Sequence, residues 1–167
     1  MIEDFSDFQN RFFNGSEYSM KASRWLYTKI NQTVTASNAT GVAVEVFDRA
    51  GWDQPSIIVS IPGMSAKTIV VGAHQDSIIR PCYQVPRDYA PGAGMYHTSA
   101  ALNLHGYPAA MTFESKFGDH SRFIHTSLDR ADTININHVL QHVTLVIGFA
   151  YELGFAPLGN EDITEEL

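Results

Sequence analysis

His74 and Asp76 are the residues of this sequence best placed to do chemistry. They belong to the octet Val70-Val71-Gly72-Ala73-His74-Gln75-Asp76-Ser77, in which a short β-branched run leads into a His-x-Asp triplet. Residues two apart on a strand share a face, so the imidazole and the carboxylate would sit together at the strand's carboxyl end, where ligand sites of open α/β sheets lie. A carboxylate there can accept one ring N–H and fix the tautomer that ligates a metal. The same pair also serves as a plain structural hydrogen bond, and so short a pattern does not choose between the two. Other candidates are weaker. Ser77 and Ser99 have histidines nearby but no Gly-x-Ser-x-Gly elbow. Cys82, beside Pro81 in a loop, reads as a free thiol. His138 and His142 stand one helical turn apart without the glutamate of a His-Glu-x-x-His site, and a polar helix face accounts for them.

Helices and short strands must position these groups. Phe5, Phe8 and Phe12 recur at helical spacing between Asp4 and Phe13, and Ala22, Trp25, Leu26 and Ile30 share one face between Ser19 and Thr33. After Gly41 the period changes. Val42, Val44 and Val46 alternate as in a half-exposed strand. Ser56 to Ile61 and Thr68 to Ala73 predict two buried strands, adjacent or joined as a hairpin through Pro62-Gly63. Ser77 to Gly94 reads as loop, and Ala109 to Glu114 as a further strand. Between Asn137 and Leu153 the apolar stripe of Val139, Leu140, Val143, Ile147, Ala150 and Tyr151 predicts a helix ending at Gly154, with Pro157 beyond it. Helices flanking buried strands predict a three-layer α/β domain, with few crossover helices to connect the strands.

At 167 residues the chain has the size of one domain and too little for two. A compact chain of this mass buries about two thirds of its unfolded surface, which predicts a core that needs no disulfide or structural metal. With 44% apolar and 17% charged residues, ten Phe and seven Tyr, it is not a disordered polymer. The net charge of −7, with no Lys/Arg cluster, excludes a phosphate-tracking nucleic-acid surface and disfavours anionic membranes. No apolar run reaches the roughly 18 residues of a spanning helix. Cys82 is the sole cysteine, so an internal disulfide is excluded. The sequons at Asn14, Asn31 and Asn38 nevertheless favour a secreted glycoprotein. Met1-Ile2-Glu3-Asp4 carries neither the basic nor the apolar part of a signal peptide, so for an exported protein the signal and pro-segment are expected to lie outside this chain.

One longer run of residues carries a family resemblance. Gly106-Tyr107-Pro108-Ala109-Ala110-Met111-Thr112-Phe113-Glu114-Ser115-Lys116-Phe117-Gly118-Asp119, followed by Ile124-His125-Thr126, is similar to the C-terminal portion of the secreted di-zinc aminopeptidases, the group of bacterial leucyl and fungal leucine aminopeptidases. Ile61-Pro62-Gly63 through Ser77 resembles their first metal-ligand strand, and Asn10-Arg11-Phe12 fits the same group. The resemblance implies a three-layer α/β/α zinc-exopeptidase fold whose central mixed sheet is here missing elements. It implies two zinc ions, with His74 as ligand to one, Asp76 as its supporting carboxylate and His125 as ligand to the other. It implies further that Met111, Phe113, Phe117, His120 and Ile124 line an apolar pocket for the first side chain of a peptide substrate, His120 standing where tyrosine is usual.

The sequence also departs from that family. Ala90-Pro91-Gly92-Ala93 is present, but Gly94, Met95 and Tyr96 stand where a run of aspartates, one of them metal-bridging, is expected. The block that should carry a Glu-Glu pair, one metal ligand and one general base, is missing between His97-Thr98-Ser99 and Asn103-Leu104-His105-Gly106. Residues 1–96 and 97–167 thus read as two ends of a single truncated peptidase domain joined near 94–103. A catalytic zinc needs about three protein ligands, and a pair about 3.5–4 Å apart needs carboxylates to offset its charge. Two functions follow: a zinc-dependent aminopeptidase releasing apolar N-terminal residues, or a catalytically inactive truncated homologue without the bridging Asp and the Glu-Glu pair.

Overall fold

The structure, a computed structural model, describes residues 2–8, 11–64, 67–77, 105–110, 112–116, 118–124 and 128–156. Helix α1 spans Ile2–Ser6 and helix α2 spans Glu17–Ser37. Strands β1, Ala43–Phe47, and β2, Ser56–Ser60, form a two-stranded antiparallel sheet. A single 3-10 turn at Ala131–Thr133 precedes helix α3, Ile136–Phe155.

The first helix stops well short of the expected Phe13. The Arg11 guanidinium explains this, because its Nη1 donates to the carbonyls of Phe5 at 3.1 Å and Phe8 at 3.4 Å, taking over acceptors a longer helix would use. The apolar residues expected on α1 still find α2. Phe5 stacks on Trp25 with ring centroids 5.6 Å apart, and Phe8 meets the same indole edge-on at 6.3 Å. Helix α2 ends at Asn38, whose φ of 52° is the left-handed cap conformation and whose N–H returns to the Thr35 carbonyl.

The hairpin differs from the expected one. Strand β2 pairs backward with β1, Val44 opposite Val59 and Val46 opposite Ile57, and not forward with 68–73. The four β-branched residues share one face, and that cross-strand packing outweighs the Pro62-Gly63 turn signal. Gly41 makes the entry to β1 at φ +78°, where a Cβ would meet Pro62 Cγ at 3.1 Å. Thr68–Ala73 and the described residues of 109–114 carry no ladder, which corrects both strand expectations. A strand is defined by its neighbour, and among the described residues neither segment has one. Helix α3 forms as expected but runs one turn-fraction further, through Gly154 to Phe155, with Ala156 as its cap.

The described residues do not form the expected core. Among the described residues, the buried ones are Ala22, Pro55, Ser16, Ser19, Ser23 and Gln54. Helix α3 buries none of its side chains, and Leu140, Val143, Ile147 and Tyr151 of its apolar stripe are all exposed. Other apolar side chains of the described residues, among them Ile61, Met64 and Phe155, are also more than half exposed.

Candidate functional site

The residues buried most deeply are small and polar, and they lie around the His74–Asp76 segment. Ser19, Ala22 and Ser23 make one face of α2 that is narrow enough for another chain segment to approach the helix closely. Ser23 Oγ donates to Gln75 Oε1 at 3.1 Å, and the Gln75 amide donates to the Pro55 carbonyl. Residue 75 is therefore tied to α2 and to the loop before β2 through one side chain.

Arg11 ties down the same segment from the other side. Its main-chain N–H donates to Ser77 Oγ at 2.8 Å, and its carbonyl accepts the Ser77 N–H at 3.2 Å. Its Nε donates to the Gln75 carbonyl at 3.2 Å, and its guanidinium lies 4.5 Å from the centre of the Phe5 ring. Buried Gln54 adds a bond from Nε2 to the Arg11 carbonyl at 3.3 Å. Burial pushes the Arg11 guanidinium below its ordinary value, while the charges of Asp76 and Asp129 pull it back up. Residues 75 and 77 are thus fixed by main-chain and side-chain bonds on both sides of Asp76.

Between those anchors, His74 Nδ1 lies 3.0 Å from Asp76 Oδ1, with the imidazole largely exposed and the carboxylate partly covered. The contact exists without the strand that predicted it. With the Asp76 carboxylate accepting a hydrogen bond from Nδ1–H, the ring proton stays on Nδ1 and the basic lone pair is left on Nε2.

The other predicted residues divide. Phe113 and His120 come together edge to face, with centroids 5.5 Å apart. They belong to an open loop shaped by Gly118, at φ +103°, and by the Glu114 carboxylate, which accepts the Ser121 N–H. Ile124 is half-buried nearby in sequence. Met111, Phe117, His125 and the expected junction at 94–103 lie outside the described residues. Sequence reasoning passed over Gln75, Gln54 and Ser23. Gln75 had the better signal, standing inside the His-x-Asp triplet on the alternate side.

No family model matches the chain. Among curated proteins it is similar to Leucine aminopeptidase 1 of Ajellomyces capsulatus (strain NAm1 / WU24), 24% identical over 273 residues, taking in 94% of this chain and 70% of the relative. The same protein of Blastomyces gilchristii gives 24% over the same shares. Leucine aminopeptidase 1 of Pyrenophora tritici-repentis is 44% identical over 77 residues, 46% of this chain and 19% of its own. This chain is a relative of the leucine aminopeptidases. That relationship supports a hydrolase kinship, in line with what the motifs from Gly106 to Thr126 implied. An alignment of 273 positions on a chain of 167 leaves more than a hundred without a counterpart, all inside the aligned span.

The donor set can be tested against the zinc pair that the resemblance implies. Among the described residues, no three His, Cys, Asp or Glu side chains converge on a point. His74 contributes one imidazole, and Asp76 is engaged with it. A zinc site needs about three protein donors, so the described residues of this leucine aminopeptidase homologue do not make one. Among them, too, no helix is long and apolar enough to cross a membrane.

Proposed function

We propose that this chain is a non-catalytic homologue of the zinc-dependent aminopeptidases. It keeps part of the site that engages the N-terminus of a peptide with an apolar first residue, and it lacks the carboxylates that hydrolysis requires. The reading takes residues 1–167 as one truncated domain, joined near 94–103, of an α/β/α fold whose central sheet has lost strands. It also takes the protein as secreted, with sequons at Asn14, Asn31 and Asn38.

One observation carries it. The His74–Asp76 contact stands at 3.0 Å on its anchors, yet more than a hundred aligned positions are absent, and the sequence shows Gly94, Met95 and Tyr96 where bridging acids are expected. A proton acceptor for an attacking water is absent with them. Phe113, Phe117, Met111, His120 and Ile124 would be the surviving apolar contacts for the peptide.

A second reading, an active aminopeptidase releasing apolar N-terminal residues, is favoured by that same intact pair. A leucyl chromogenic substrate with added zinc separates the two. The proposal expects turnover no greater than that of His74→Ala, together with binding of a fluorescent leucyl peptide read by anisotropy. Zinc-dependent turnover well above the His74→Ala control would establish the enzyme instead, and zinc analysis would then show about two ions per chain.

A further inference from the structure

We propose that His138 and His142 form a two-imidazole clamp for a divalent transition-metal ion on α3, apart from the aminopeptidase site. Spacing by four places both rings on one face, and the structure brings their centroids to 5.1 Å with planes tilted by 38°. Two nitrogens bound to one ion at about 2.0–2.1 Å each stand roughly 3 Å apart, which rotation of such neighbouring rings reaches without backbone movement.

The local helix is built to hold them. Asn135 Oδ1 accepts the N–H groups of Asn137 at 3.1 Å and His138 at 3.3 Å, so the turn bearing the first imidazole is capped and not frayed. No lysine or arginine occurs anywhere in α3, and the chain as a whole carries −7. Nothing in the helix repels a cation, and the net field attracts one. The positive end of the helix dipole opposes binding, but it weakens within the first turn, and His142 lies beyond it.

Two imidazoles with water in the remaining positions suit copper(II) and nickel(II) better than a closed zinc centre, and the affinity order puts copper(II) first. The clamp has a physical use. An ion held by both rings is bound only while the two turns are helical, so it stabilises an α3 that buries none of its side chains.

The test uses the full chain titrated with copper(II), then with nickel(II) and zinc(II), by calorimetry with far-ultraviolet circular dichroism alongside. The expected result is a copper(II) site whose affinity falls at least about tenfold in His138→Gln and in His142→Gln and is retained in His74→Gln, with helicity rising on binding only when both α3 imidazoles are present. Electron paramagnetic resonance of the copper(II) form should show two imidazole nitrogens, and one in either α3 variant. Because both residues are partly exposed, the metal-free variants should keep the parent's dichroism. Absence of a copper(II) site in the parent, or a site untouched by both α3 substitutions, overturns the proposal. So does a site lost in His74→Gln.

Discussion

Arg11 does several jobs that a lysine could not share. Its fork reaches three carbonyls, those of Gln75, Phe5 and Phe8, and its charge lies over the Phe5 ring. Burial lowers its proton affinity, yet a guanidinium stays cationic throughout the workable range, so its contribution is insensitive to pH there. Arg11→Met should cost about 1–3 kcal/mol in urea unfolding, since it strips charged donors from partly buried carbonyls; Arg11→Lys should recover only part. Equal stability of all three proteins would show that the guanidinium bonds to Gln75, Phe5 and Phe8 hold nothing. A second prediction concerns Asn38. Asn31 is committed inside α2, its Nδ2 donating to the Tyr27 carbonyl at 3.2 Å, and the Asn14 sequon ends in buried Ser16. Asn38 is exposed in the left-handed cap, with an exposed Thr40 after it. Expression through a eukaryotic secretory route should therefore place a glycan at Asn38, lost in Asn38→Gln and seen by glycosidase digestion with mass spectrometry. Full occupancy of Asn31 with Asn38 bare would contradict this. His74 and Asp76 could be read from the sequence because a two-residue spacing encodes their meeting. The bonds of Arg11, Gln54 and Gln75 could not, because main-chain carbonyls are acceptors that no sequence pattern marks.

Elements behave according to whether they bury a face. β1 was legible because Val42, Val44 and Val46 alternate, and its pairing with β2 places two of them opposite Ile57 and Val59. Thr68–Ala73 and 109–114 carry the same β-branched or apolar composition but no ladder among the described residues. Composition predicts a strand, and only a neighbour makes one. The apolar period of α3 likewise announced the helix, and it is present, but the stripe faces solvent. Most helical stability in proteins comes from packing such a stripe, so α3 here rests on propensity and caps. Asn135→Ala should for that reason be unusually damaging. Loss of the Asn135 side-chain acceptor costs about 1 kcal/mol, and with no fully buried side chain in the helix to absorb it the loss should appear directly as reduced helicity in circular dichroism. Unchanged dichroism would mean that something not visible in these contacts holds the helix.

At the scale of the whole molecule the apolar exposure of the described residues decides. Much of what the described residues expose is apolar: Ile61, Met64, Val70, Val71, Ile147 and Phe155 are all more than half exposed. A two-stranded sheet has two open edges and is marginal alone. The composition that predicted a core was sound as arithmetic, with 44% apolar residues. It failed because burial needs partner elements as well as apolar side chains, and more than a hundred aligned positions of the leucine aminopeptidase relatives have no residue here to supply them. Exposed patches and edges of this kind are satisfied by another chain when they are not satisfied within one. The isolated protein should accordingly self-associate as concentration rises in sedimentation, bind hydrophobic dyes, and unfold over a broad transition with an m-value below that of a compact 167-residue domain, since less surface is uncovered. A monodisperse monomer with a sharp cooperative melt and a normal m-value would mean that the chain closes its own core. The proposed loss of sheet would then no longer account for the proposed loss of activity.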